Sequence, residues 1–203
     1  MKLYYMPGAC SLASHIALRE TGEPFEIDRV DGKTKATAGG EDFRTINPKG
    51  YVPALRLDDG EVLTEGAAVL QFIADRHPAA GLAPASGTLE RARVQEHLNF
   101  VASELHKAFS PLFSSTLSEA ERKTAQSNVA RRFDLLEKTL SDGRSYLVGD
   151  TFSVADAYLF VVASWAVPTG VGLDAWPNLK AYVERIGARE AVREAMQAEG
   201  LLH

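Results

Sequence analysis

Cysteine is almost absent from this chain: Cys10 is the only one in 203 residues. A single thiol closes no internal disulfide, which excludes a disulfide scaffold and suits a reducing compartment, the cytoplasm. Long apolar runs are missing too. The longest, "AYLFVVASWAV" (Ala157 to Val167), falls far short of the roughly 20 residues that span a bilayer and is expected to be a buried core helix. The N-terminal "MKLYYMPG" has no apolar core of signal-peptide length and runs straight into a strand pattern, so no membrane partner is expected. Positive charge is not in excess. The net charge is −5, and the nearest basic patch, "ARR" at Ala130 to Arg132, reads as a solvated helix face, which argues against nucleic acid. The five histidines show neither HxxxH spacing nor a paired cysteine, so no metal site is expected. No repeat or low-complexity tract is evident.

What is present is ordinary for a globular protein: 45% hydrophobic and 24% charged residues, in a chain long enough for one large domain or two small ones. Lys2 to Met6 has a strand pattern ended by Pro7-Gly8. Ser11 to Thr21 has helical spacing, with Gly22 where a C′ residue sits. "PFEIDRV" from Pro24 alternates as a half-buried strand. In "INPKGYVPALRL", Asn47-Pro48 and Lys49-Gly50 punctuate a loop before a strand at Ala54 to Leu57. Asp58 to Gly60 then turns the chain into a strand at Glu61 to Thr64. Glu65 to His77 is expected to be a helix with Ala68, Val69, Phe72 and Ile73 on its apolar side. A β-α-β unit followed by β-β-α implies a mixed sheet over residues 1–77. Residues 78–87 have linker composition, and 88–203 read helical: Thr88 to Phe113, Ser118 to Leu140, Ser153 to Val167, and Trp176 onward with breaks near Gly187 and Gly200.

Cys10 stands at the mouth of the first helix, where unpaired N–H groups favour thiolate over thiol. Ser11 can serve as its N-cap. An inert buried cysteine is the competing reading. In "YVPAL", a cis Val52-Pro53 bond turns the Val52 N–H and C=O outward, where an extended peptide can pair as an added strand; a trans bond is the ordinary alternative. In "LTEGAAV", Glu65 and Gly66 open a helix whose N–H groups suit a carboxylate while Glu65 suits an ammonium, or Thr64 is simply an N-cap. Along "HLNFVASELHKAF", a uniform 100° per residue puts Leu98, Val101, Ala102, Leu105 and Phe109 on one face. Asn99, Ser103 and His106 then form a polar seam beside it, suited to an interdomain cleft or to a solvated edge. His106, with an ordinary pKa near 6.5, is placed to switch protonation near neutrality.

Together these features resemble the bacterial beta-class glutathione S-transferases over the whole length. The motifs are "MKLYYMPGACSLASHIALRETG", "INPKGYVPAL", "LTEGAAVLQFIADRHP", "LNFVASELHKAFSPLF" and "LVGDTFSVADAYLF"; the last carries Ser153 and Asp156 as a capping box. The resemblance implies a thioredoxin-like N-terminal domain, an all-helical C-terminal domain, and a homodimer with glutathione as co-substrate. Val52 beside Pro53 meets its cysteinyl part, Glu65 and Gly66 its γ-glutamyl end, and Lys35 its glycyl carboxylate. Cys10 lies next to its sulfur with His106 and Lys107 near. Asn99, Ser103 and Glu104 match positions that reach glutathione partly from the neighbouring subunit. Gly66 departs from a serine often found there, removing a hydroxyl contact. Tyr5 is left as a strand residue packing the sheet.

The activity so implied is conjugation of glutathione thiolate to a small hydrophobic electrophile, a detoxification chemistry. Lowering a thiol pKa by about two units stabilises its thiolate by about 2.7 kcal/mol, with Cys10, Ser11 and His106 as donors. Phe109, Leu112, Phe113 and Trp165 are expected to line the electrophile's pocket or to be core. Two alternatives stay open: thiol–disulfide exchange or reduction through a Cys10 mixed disulfide, and a non-catalytic hydrophobic-ligand carrier.

Overall fold

Strand β1 (Lys2–Tyr5) is the centre of the first unit, and its apolar Leu3, Tyr4 and Tyr5 are buried accordingly. The computed structural model describes residues 1–202. β1 pairs in parallel with β2 (Glu26–Arg29), Leu3 opposite Ile27, and antiparallel with β3 (Ala54–Arg56), Leu3 opposite Leu55. A hairpin adds β4 (Val62–Thr64), giving the mixed order β2-β1-β3-β4. The parallel pair needs a crossover, supplied by helix α1 (Ser11–Thr21). α1 ends where Gly22 takes φ +71, and the Gly22 N–H closes onto the Arg19 carbonyl.

The polar stretch before β3 contains a one-turn helix, α2 (Phe43–Ile46), started by Asp42, whose carboxylate accepts the Arg44 N–H. α2 sends Phe43 and Ile46 into a core with Tyr4, Val30 and Ala54. Helix α3 (Gly66–Arg76) buries Val69, Leu70, Ile73 and Ala74. The expected stripe was one step off: Ala68 is exposed and Phe72 only half-buried.

The chain divides into two compact units, Met1–Ala83 with the stretch from Arg189 onward, and Pro84–Ala188. The terminal stretch, expected with the helical domain, thus belongs with the sheet. Its helix α9 (Glu190–Ala198) buries Val192 and Ala195 and packs on α1. Arg189 forks onto Glu20 at 2.8 and 2.9 Å.

The second unit opens with α4 (Leu89–Phe100), capped by Thr88. A π-helical turn follows at Val101–Leu105, then α5 (His106–Phe109) and a 3₁₀ turn at Ser110–Phe113. α6 (Glu119–Leu140) begins with a Ser118/Glu121 capping box. α7 (Val154–Ser164) is buried from Val154 to Ala163, as the long apolar run predicts, and α8 (Pro177–Gly187) completes the unit. Among the described residues no helix is long and apolar enough to cross a membrane.

Candidate active site

The loop from β1 to α1 sets the thiol. Cys10 itself occupies the N-cap position, with φ −57° and ψ −21°. Ser11, expected there, is the first helical residue, because its hydroxyl is taken by the backbone of Met6. The Met6 N–H donates to Ser11 Oγ at 3.2 Å, and Oγ lies 3.3 Å from the Met6 carbonyl. Cys10 is half-buried, and its Sγ donates to the Val52 carbonyl at 3.3 Å. The Val52–Pro53 bond is cis, the less common of the two alternatives. The carbonyl accepts the S–H proton at this distance, and the helix mouth places unpaired N–H groups beside the sulfur.

The segment that presents Val52 is organised by Asn47, which is 3% exposed. Its Nδ2 donates to the Tyr51 carbonyl at 2.7 Å, its Oδ1 accepts the Lys49 N–H at 3.2 Å, and its carbonyl accepts the Gly50 N–H at 2.8 Å. Lys49 Nζ reaches Glu65 Oε1 at 2.5 Å and Thr64 Oγ1 at 3.1 Å. In the sequence, Lys49-Gly50 signals only a loop before β3.

Glu65 precedes α3 at φ +72, and Lys35 lies in its loop at φ +63. These are the two described non-glycine residues with positive φ, and both are candidate ligand contacts. Such conformations persist where the surroundings hold them and collect at functional sites. The Lys35 N–H donates to the Asp31 carbonyl at 3.0 Å and its carbonyl accepts the Phe43 N–H at 2.8 Å. The Glu65 carbonyl receives the N–H groups of Ala68 and Val69, while Gly66 and Ala67 stand at the end of the helix where N–H groups lack intrahelical partners. Tyr5 is a packed strand residue: buried, tilted against His15 with centroids 6.1 Å apart, its hydroxyl pKa pushed up by burial.

In the helical unit the expected apolar face is buried at Leu98, Val101, Leu105 and Phe109, although a π turn interrupts the uniform 100° step. Asn99 and Ser103 are exposed, with Ser103 Oγ donating to the Asn99 carbonyl at 2.9 Å; Ala102 is half-buried. Glu104 pairs with Arg132 at 2.9 Å, and Lys107 is exposed. His106 turns inward. Its Nδ1 lies 3.1 Å from Tyr158 Oη, and its ring meets Trp165 edge-on at 4.8 Å. Phe109, Leu112 and Trp165 are buried, as core residues are. Phe113 exposes its ring and sits edge-on to Trp165 at 5.2 Å.

Burial, then the charge of Lys107, lowers the His106 pKa from 6.5 to about 4. The expected switch near neutrality is therefore corrected: at pH 7 the imidazole is neutral and acts only as a hydrogen-bonding ring. The unfolded chain takes this proton near pH 6.5 and the folded chain only near 4, so the stability tied to it is complete above 6.5 and declines as pH falls toward 4. Thermal midpoints measured from pH 7.5 to 4.5 are expected to fall less steeply in His106→Gln than in the parent. Equal slopes would refute this.

A β-α-β, β-β-α sheet bearing a thiol at a helix mouth beside a cis-proline strand, with helices after it, is a thioredoxin-like domain joined to an all-helical one. Family models for the glutathione S-transferase N-terminal domain and C-terminal domain match residues 8–76 and 100–190. Glutathione S-transferase GstA of Escherichia coli O157:H7 is 42% identical, covering 99% of this chain and 100% of that protein. A sphingomonad glutathione S-transferase complexed with glutathione superimposes with a TM-score of 0.95 at 50% identity over all of both chains. The bacterial beta-class enzyme of Sphingomonas chungbukensis gives the same values. The chain belongs to the glutathione S-transferase family.

Among the described residues no group of three or more His, Cys, Asp or Glu side chains is arranged to hold a metal ion.

Proposed function

We propose that this protein conjugates the thiolate of glutathione to small hydrophobic electrophiles, as a cytoplasmic homodimer serving detoxification. The observation that carries the reading is the 3.3 Å contact of Cys10 Sγ with the Val52 carbonyl. It sets a thiol donor beside a backbone edge on which an extended peptide can pair. The cysteinyl part of glutathione pairs with Val52. Its sulfur then takes the Cys10 S–H, which stabilises the thiolate together with the mouth of α1. Glu65 meets the γ-glutamyl ammonium, the Gly66 N–H its carboxylate, and Lys35 the glycyl carboxylate. Asn99, Ser103, Glu104, His106 and Lys107 are assigned to glutathione by the family resemblance, the first three partly across subunits.

In the reaction with an aryl chloride, the glutathione thiol gives its proton to solvent. The S–C bond forms from the thiolate lone pair, and chloride leaves with the C–Cl electrons. A second reading is favoured by the half-buried, unbridged state of Cys10: attack on an oxidised glutathione sulfur gives a mixed disulfide, and the other glutathione leaves as thiolate.

Calorimetry with glutathione and turnover of an activated aryl chloride are expected to be positive for the parent protein. Cys10→Ala is expected to lose disulfide exchange and retain measurable conjugation. Loss of both activities with glutathione still bound would transfer the chemistry to Cys10, and binding without turnover in the parent would favour a carrier.

A further inference from the structure

Lys49 and Glu65 form an ion pair at 2.5 Å while their side chains stay 49% and 70% exposed. A pair so open to water contributes little on its own and opens readily. It is, however, shaped for one chemical class. The head of a γ-glutamyl group carries an ammonium and a carboxylate on the same carbon, the charge-reversed image of an adjacent carboxylate and ammonium. Insertion of such a head exchanges one exposed pair for two charge-assisted contacts.

We propose that Lys49 is a specificity-determining residue that holds the α-carboxylate of the γ-glutamyl group while Glu65 holds its ammonium; this rests on the reading of Glu65 given above. Gly66 has no side chain, so the first residue of α3 offers that carboxylate an N–H alone. Lys49 supplies the charge that position lacks. Its backbone is not free to wander, because the Lys49 N–H is tied to the buried Asn47. The same asparagine fixes Tyr51, next to Val52, so one short turn carries both the lysine and the edge that pairs with the cysteinyl part. Glu65 is held in turn at φ +72, where few side chains settle without support. Glu65 alone would accept many amines. With Lys49 beside it, the pocket selects a free α-amino-acid head.

The test is calorimetry on the parent, Lys49→Met and Lys49→Arg, with two ligands: glutathione, and γ-aminobutyryl-cysteinyl-glycine, which keeps the amine and lacks the α-carboxylate. Lys49→Met is expected to bind glutathione about tenfold more weakly, the size of one partly exposed charge-assisted contact. Lys49→Arg is expected to stay within about threefold of the parent, since it keeps the charge with a different geometry. The decarboxylated ligand is expected to bind Lys49→Met no more weakly than the parent, because its amine no longer has to displace Lys49 from Glu65. Lys49→Met binding glutathione as tightly as the parent, or more tightly, would overturn the proposal and make Lys49 a spectator or a competitor of the ligand's amine. Equal weakening toward both ligands would overturn it too, by assigning Lys49 a merely structural role. A parent protein that takes up no glutathione would overturn the reading beneath it as well, whereas an unchanged Lys49→Met on a parent that binds overturns this inference alone. Far-UV circular dichroism confirms the fold of each variant.

Discussion

Replacing Asp156 with alanine is expected to destabilise the helical unit by about 3–5 kcal/mol, the range for removing one partner from a buried charged network. The carboxylate is fully buried at the start of α7. Oδ1 accepts the Leu147 N–H at 2.8 Å and the Tyr182 hydroxyl at 2.7 Å; Oδ2 accepts the Ser153 N–H at 2.8 Å and lies 2.7 Å from Ser153 Oγ. Burial pushes the Asp156 pKa up, and these donors pull it back. Asparagine is no rescue. Each oxygen serves one backbone N–H as well as one hydroxyl, so an amide NH₂ on either side confronts an N–H that cannot accept. The hydroxyls can rotate and the backbone cannot. Asp156→Asn is therefore expected to lose about 2 kcal/mol, the penalty for one unsatisfied buried donor. Urea unfolding should rank the parent above asparagine and asparagine above alanine; an asparagine variant as stable as the parent would show that the network tolerates a donor.

The capping box that Asp156 completes was legible in "SVAD", because it is a local pattern over four residues. So were the element order of the first unit, its mixed sheet and the end of α1 at Gly22, each marked by periodicity or by turn residues. The candidate site residues Cys10, Val52 and Glu65 stood out in the sequence because each lies beside a break in regular structure. What escaped was set by contacts outside each local pattern. Ser11 lost the N-cap position because the Met6 backbone, five residues back, claimed its hydroxyl. His106 turns inward onto Tyr158, 52 residues further along the chain. Lys49 meets Glu65 across sixteen residues, so neither segment hints at the pair. The docking of the terminal stretch on α1 depends on partners about 170 and 184 residues away.

That docking makes the second large prediction: Glu199→Ala is expected to cost about 3 kcal/mol, at the low end for breaking a buried pair. Glu199 Oε1 lies 2.9 Å from His15 Nδ1, and Oε2 accepts the Gly8 N–H at 3.0 Å; both side chains of the His15–Glu199 pair are fully buried. Gly8 is two residues from Cys10, and Leu201 lies 3.4 Å from where a Gly8 Cβ would stand. One carboxylate thus ties the mouth of α1 to the end of α9. Here glutamine behaves unlike asparagine at 156. Its oxygen can face the Gly8 N–H, and its NH₂ can face His15 Nδ1, provided the ring moves its proton to Nε2, which has no hydrogen-bond partner among the described residues. An imidazole can exchange donor for acceptor, and a peptide N–H cannot. Glu199→Gln is therefore expected to stay within about 1 kcal/mol of the parent, one neutral hydrogen bond's worth. Arg189→Ala, at the partly exposed Glu20 fork, should also cost only about 1 kcal/mol. Thermal unfolding of the three variants decides it. Should glutamine prove as damaging as alanine, the pair requires a charged carboxylate, and the tautomer exchange inferred for His15 does not occur.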